Sequence, residues 1–192
     1  MSLWGASTTD ESKPKHLSDA EKRDVYATKE GWVKRTTGTG DRAGRVHEEI
    51  LVAIGDLAGG TSATASLGTG TISSINWNIS AFDKSEGGTL SVTVNYNEEV
   101  TVTGTPQLTV VNNAKANHTL SYASGTGTNR LIFTLAIGAA NAATDAGNVL
   151  SVGANAMALN SGTVKDKGTN VTSTITNSAG IGTKAGTITV VA

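Results

Sequence analysis

Leu90, Val92, Val94 and Tyr96 alternate with Ser91, Thr93 and Asn95. A strand reverses the direction of its side chains at every residue, so this run carries one apolar and one polar face, a pattern the 3.6-residue period of a helix cannot satisfy. It defines a half-buried β-strand. A further candidate precedes it at 71–79, where Ile72, Ser74, Asn76 and Asn78 alternate with Ser73, Ile75, Trp77 and Ile79. Short runs follow at 100–103, 108–111, 119–123, 131–137, 149–152, 171–175 and 186–191. Gly104-Thr105-Pro106, Asn112-Asn113, Ser124-Gly125-Thr126-Gly127 and Lys167-Gly168 supply turn signals between them. Strands at roughly 8–12-residue spacing predict an all-β sandwich. The 29 Thr and 23 Gly against 4% aromatics fit that fold and predict a thin, aliphatic core.

Charge divides the chain. Residues 1–50 hold 18 of the 31 charged side chains, nine of each sign, whereas 87–192 hold nine. Such a shift marks a change of architecture, and we expect an N-terminal segment over 1–58, a Gly/Ser/Thr/Ala-rich linker over 59–70 and a β-domain over 71–192. Ser18-Asp19-Ala20-Glu21 has the form of a capping box and predicts one short helix over 19–26. Residues 2–17 lack periodicity and predict an extended arm with too little apolar surface to order itself. At 45–54, Val46, Glu48, Ile50, Val52 and Ile54 alternate with His47, Glu49, Leu51 and Ala53, predicting a strand.

Leu3, Trp4, Leu17, Tyr26 and Trp32 are spaced along this polar segment. Each large apolar side chain gains roughly 1.5–3 kcal/mol on burial, so the five are expected to act as anchors on a neighbouring surface. Pro14 restricts the local backbone and lowers the entropy lost on docking. Its neighbours Lys13 and Lys15 are placed to meet acidic groups, with a small energetic return. Leu3, Trp4, Lys13, Pro14, Lys15, Leu17, Tyr26 and Trp32 are therefore the expected partner-binding residues.

Two resemblances add to this reading. Val100-Thr-Val-Thr-Gly-Thr-Pro106-Gln-Leu-Thr-Val110, Tyr122-Ala-Ser-Gly-Thr-Gly-Thr-Asn129-Arg-Leu-Ile-Phe133 and Leu159-Asn-Ser-Gly-Thr-Val-Lys-Asp166 occur in order within 98–175. This stretch resembles the immunoglobulin-like repeats of bacterial surface proteins and phage virion proteins. The resemblance implies an immunoglobulin-like β-sandwich, here preceded by the extended arm and its short helix. It says little about function, because such modules serve as spacers and adhesive units alike.

Leu3-Trp4-Gly5, Ser12-Lys-Pro14-Lys15, Leu17-Ser-Asp-Ala-Glu-Lys22, Val25-Tyr-Ala-Thr28, Gly31-Trp32-Val33 and Glu49-Ile-Leu-Val-Ala-Ile54 lie within 3–58. This part resembles virion structural proteins of marine tailed phages, especially those infecting cyanobacteria. It implies a capsid decoration or cement protein on the outer surface of the virion. Its partner would be the major capsid protein, and a homo-oligomer such as a trimer would follow the symmetry of the shell. A host-surface or glycan adhesion module, and a tail or neck component, are the alternatives.

Chemistry-bearing patterns are sparse. His16, His47 and His118 are far apart in sequence, and in a strand His47 and Glu48 point to opposite faces. No serine lies in a nucleophile elbow, and Gly38-Thr-Gly40 and Gly68-Thr-Gly70 lack the residues of a phosphate loop. Trp4, Trp32 and Trp77 fit anchoring or core packing better than a sugar platform. Calcium asks for six to eight oxygen ligands. The loop 136–146 offers only Asp145, while Asp166, Glu98 and Glu99 lie elsewhere. We expect a protein that is not an enzyme, with no catalytic residues, no cofactor and no metal.

With no cysteine, disulfides and thiolate chemistry are excluded. The net charge of −1 leaves no basic excess for a nucleic-acid partner. No run approaches the ~18 apolar residues of a membrane helix, and residues 1–5 lack the pattern of a signal peptide.

Overall fold

The computed structural model describes residues 14, 16–18, 20–39, 43–59 and 67–192. The all-β class holds: twelve strands and two single-turn helices make up the regular structure of these residues.

The capping box forms at the N-terminal end. The amide and hydroxyl of Ser18 donate to Glu21 Oε2 at 3.0 and 2.8 Å, and the Glu21 amide donates to Ser18 Oγ at 3.3 Å. The helix expected over 19–26 is nevertheless cut to one 3-10 turn, Glu21–Asp24, because Val25 is already extended (φ −105°, ψ 131°). A single turn carries too few hydrogen bonds to resist strand pairing. Val25–Thr28 instead forms β1, antiparallel to β2 (Gly31–Thr37), which pairs in turn with β3 (Val46–Ala53). From Val25 onward the expected N-terminal segment is thus a three-stranded sheet. Gly31 closes its first turn at φ +133°, where an added Cβ would lie 2.0 Å from the Val52 carbonyl oxygen, so only glycine fits.

The alternation expected in β3 holds as far as Ile50, which pairs with Val33. A bulge then leaves Leu51 unpaired, with Val52 opposite Trp32. That shift lets Leu51, Val52 and Ile54 all pack on the small core of Leu17, Val25, Ala27, Trp32 and Leu57.

The remaining strands are β4 (Ile72–Trp77), β5 (Phe82–Asp83), β6 (Gly88–Thr103), β7 (Gln107–Asn112), β8 (His118–Ser124), β9 (Thr128–Ile137), β10 (Val149–Ala158), β11 (Thr163–Asp166) and β12 (Thr187–Val191), with helix α1 (Ala179–Thr183) before the last. They pair in the order β6-β9-β8-β7-β10-β12-β5, and β4 and β11 both pair with β6. One face of these strands lines a single core in a β-sandwich-like arrangement.

The strands expected at 90–96 and 100–103 are one 16-residue strand, β6. Its first half pairs with β4 and β9, and its second half with β11. In β4 a register shift between Ile72 and Ser74 turns both Ile72 and Ile75 inward, replacing the simple alternation expected there. The run expected as a strand at 171–175 makes only an isolated bridge, Lys165 with Thr172.

The two β-units meet along β1 and β6, where Ala27 pairs in parallel with Glu98. Arg130 of β9 forms an ion pair with Asp24, and Arg35 reaches Asn129 Oδ1 at 3.4 Å. Residues 60–66 of the expected linker lie outside the described residues. Its described part is fastened: the Leu67 amide donates to the Leu57 carbonyl at 2.9 Å and the Thr174 amide to the Gly70 carbonyl at 2.8 Å.

Candidate functional site

The expected partner-binding residues divide into two groups. Leu3, Trp4, Lys13 and Lys15 lie outside the described residues. Pro14 and Leu17 are buried, as are Tyr26 and Trp32, which are 2% and 1% exposed. Their apolar surface is already covered by this chain, so these four are not free to anchor a neighbour. The structure corrects that expectation. Burial demands a neighbouring surface but does not say whose: for Leu17 and Trp32 it is the small core with Val25, Ala27 and Leu57, and Tyr26 meets Arg35 and Glu48.

Tyr26 and Trp32 serve opposite faces of the N-terminal sheet. Trp32 packs in the small core. The Tyr26 hydroxyl donates to Glu48 Oε1 at 2.7 Å and accepts from Arg35 Nη2 at 2.8 Å. Arg35 also binds Glu48 Oε1 through Nε and Nη2 at 3.1 and 3.0 Å, and its guanidinium lies 4.6 Å from the centre of the Tyr26 ring. Burial, and then the Glu48 carboxylate, raise the Tyr26 hydroxyl to about 12. The Tyr26 hydrogen bond lowers Glu48 below the usual carboxylate range despite the opposing desolvation. Glu48 is thus held within the fold, and His47 pairs with Thr36 one residue along, on the other face.

Beside this network β3 forms an outer edge of the sheet, bonded only to β2 among the described strands. Val46 and Ile50 are 59% and 52% exposed. They flank Glu48 on one face of an edge strand whose outer backbone groups have no strand partner among the described residues, a combination that invites pairing with another chain.

A second feature lies at the junction of the two units. The inward alternation of β6 continues past Tyr96 through Glu98, Val100 and Val102. It carries a carboxyl onto the core face. Asp166 of β11 stands opposite Val100, so its side chain is the diagonal neighbour of Glu98 on that face. Both residues are 1% exposed. Burial, followed by the adjacent Asp166, pushes the Glu98 carboxyl up to about 8. A cleft of about 330 Å³ lined by Ala27, Ala58, Glu98, Asp166 and Gly168, among others, opens here. The sequence offered Asp166 and Glu98 only as separate calcium candidates; the period-two spacing of 96, 98 and 100 signals that Glu98 faces inward, and the β6–β11 register brings Asp166 beside it.

A shallow groove of about 450 Å³ lies elsewhere, lined by Arg23, Asn76, Asn78, Asn95, Arg130 and neighbouring residues. Its amides are engaged within the fold: Asn95 Nδ2 donates to Ser74 Oγ and Asn76 Oδ1, both at 3.0 Å, and Asn78 bonds to Ser91 and Thr93. Asp145, weighed as a calcium ligand, is paired with Lys115 at 2.8 Å. Trp77 Nε1 donates to the Gly186 carbonyl at 3.2 Å while its ring packs against the main core. Among the described residues no three His, Asp or Glu side chains cluster as metal ligands, and no helix is long and apolar enough to cross a membrane.

No protein-family model, no curated protein and no solved structure matches this chain.

Proposed function

We propose that this chain is a non-enzymatic structural protein of a tailed-phage virion, a capsid decoration protein that binds the major capsid protein on the outer shell. The motifs within 3–58 support the virion assignment. The observation that carries the attachment is the open edge of β3, with Val46 and Ile50 exposed beside it. A strand of the partner adds to that edge: main-chain hydrogen bonds provide affinity, and contacts at alternate side chains provide specificity. Copies bound only to the assembled shell stabilise it by mass action, and the shell's symmetry sets their number, a trimer being the simplest grouping around a threefold axis. The immunoglobulin-like domain is carried outward on this attachment.

The test is retention on purified particles. Ile50→Lys is a surface change, expected to alter stability by no more than about 0.5 kcal/mol, yet it should strip the protein from particles. Deleting residues 2–13, which leaves Pro14 and Leu17 in place, tests Leu3, Trp4 and Lys13 separately. Retention of both variants at the level of the intact chain rejects the proposal.

A second reading, adhesion to host-surface glycans, is favoured by the amide- and arginine-lined groove. Specific glycan-array binding by the full chain, lost in Asn78→Ala, would select it.

A further inference from the structure

Among the described residues, three carboxyl oxygens are buried without a hydrogen-bond partner: Oε1 and Oε2 of Glu98 and Oδ2 of Asp166. A carboxylate removed from water and left unpaired is among the most costly arrangements a fold can hold. Two carboxyls buried side by side cannot both stay ionised unaided, so the pair takes up either a shared proton or a cation between them.

No described side chain fills that role. Lys167 borders the cleft, but its ammonium lies 2.8 Å from Glu99 Oε2 and 3.2 Å from the Gly127 carbonyl oxygen. Lys29, the other cation bordering the cleft, is an exposed residue of the β1–β2 turn. Asp166 is also oriented in advance. Its Oδ1 accepts from the amides of Gly168 and Thr169 at 2.6 and 2.7 Å, which fixes the carboxyl plane and leaves Oδ2 free. The loop that supplies these amides is pressed on the N-terminal unit: a Cβ on Gly168 would lie 2.4 Å from the Gly59 Cα.

We propose that Glu98 and Asp166 hold a hydrated divalent cation in the cleft where the N-terminal strands meet the sandwich. Two carboxylates do not make an all-protein cage. They do match the way small, hard cations such as Mg²⁺ are held, through one or two carboxylates with several retained waters. The cleft of about 330 Å³ beside the pair has room for the ion's waters, and the buried carboxyl oxygens must turn toward it to ligate. Bound there, the ion neutralises the pair and fastens β1, through Ala27, and the turn after β3, through Ala58, onto β6 and β11, so the N-terminal sheet is the part it orders.

The test uses the full chain stripped with EDTA and returned to Mg²⁺, Mn²⁺ or Ca²⁺. An ion at a hundredfold excess over its dissociation constant should raise the melting temperature by about 5–10 °C. Paramagnetic resonance should detect tightly bound Mn²⁺ at one ion per chain, and Mg²⁺ should displace it. Glu98→Gln and Asp166→Asn, which keep size and remove charge, should each abolish binding and shift. Even if the variants fold poorly, the Mn²⁺ titration of the unaltered chain decides whether the ion binds. Absence of stoichiometric Mn²⁺ binding, or a thermal shift of equal size in both variants, overturns the proposal. So does a Glu98→Gln protein that melts above the parent while the parent ignores every cation, because the two carboxyls would then be sharing a proton.

Discussion

The two β-units of this chain follow the same strand rules and are stabilised on very different scales. Among the described residues the sandwich gathers 22 buried side chains into one cluster, whereas the N-terminal cluster has five. A three-stranded sheet of that size is marginal without a surface to pack on. Here the surface belongs to the same molecule: Ala27 pairs with Glu98, Asp24 with Arg130, and Arg35 reaches Asn129. The difference teaches a hierarchy. The sandwich supports itself, and the N-terminal sheet borrows its order from the sandwich.

The hierarchy breaks most visibly from the sandwich side. Phe133 is fully buried and meets Tyr122 edge-on, with ring centres 6.0 Å apart. Phe133→Ala should cost about 3–5 kcal/mol in denaturant titration, and amide exchange should then accelerate in both units. Persistent protection of residues 25–53 while β9 exchanges freely would show that the N-terminal sheet stands alone. The converse change is local. Trp32→Ala removes the largest side chain of the small core, and its effect is capped by the free energy of opening that sheet. Exchange should rise across residues 25–53 and stay unchanged in β9. Equal loss in both would merge the two units into one.

The same contrast explains how much of the molecule could be read from its sequence. In β6 the alternation of Leu90, Val92, Val94 and Tyr96 forecast a strand whose four apolar positions are all fully buried. The signal was strong there because one face is core and the other polar. The N-terminal sheet gave a weaker signal. Val25, Tyr26 and Ala27 are buried in succession, since β1 is covered on both faces, and no period-two pattern survives. The capping box at Ser18 was real, but tertiary pairing decided where the helix stopped. Tyr26 and Trp32 were recognised as needing cover, and the source of that cover was misassigned because apolar surface carries no address. The Glu98–Asp166 pair, 68 residues apart, required the β6–β11 register, which no local pattern contains.

A smaller effect sharpens the contrast at the outer face of the N-terminal sheet. Tyr26→Phe leaves the ring in place and removes the hydroxyl that links Arg35 with Glu48. Hydrogen bonds to charged groups contribute roughly 1.5–3 kcal/mol. The direct Arg35–Glu48 contacts remain, so the loss should fall near the low end, about 1.5 kcal/mol. It should be read as faster exchange in β1–β3 alone. A change in β9 would mean that the network also braces the sandwich through Asn129.

The smallest effect separates the units by pH. His118 is buried in the sandwich against Thr144, 3.1 Å from its Oγ1, whereas His16 and His47 of the N-terminal part are exposed. Burial lowers the His118 imidazole below its ordinary value of 6.5, so it stays neutral in the fold when the unfolded chain has begun to take up a proton. Below pH 6.5 the unfolded state therefore binds more protons at this site, and stability falls with pH until the folded value is passed. The stability His118 contributes is fully present above 6.5 and is lost through the window beneath it. His118→Gln keeps a hydrogen-bonding group near Thr144 and cannot ionise. Subtracting its stability–pH curve from that of the parent isolates the histidine from the carboxylates that titrate lower. The difference should slope downward on acidification below pH 6.5, with faster exchange in the sandwich. A flat difference would mean that the imidazole takes up its proton without leaving the fold.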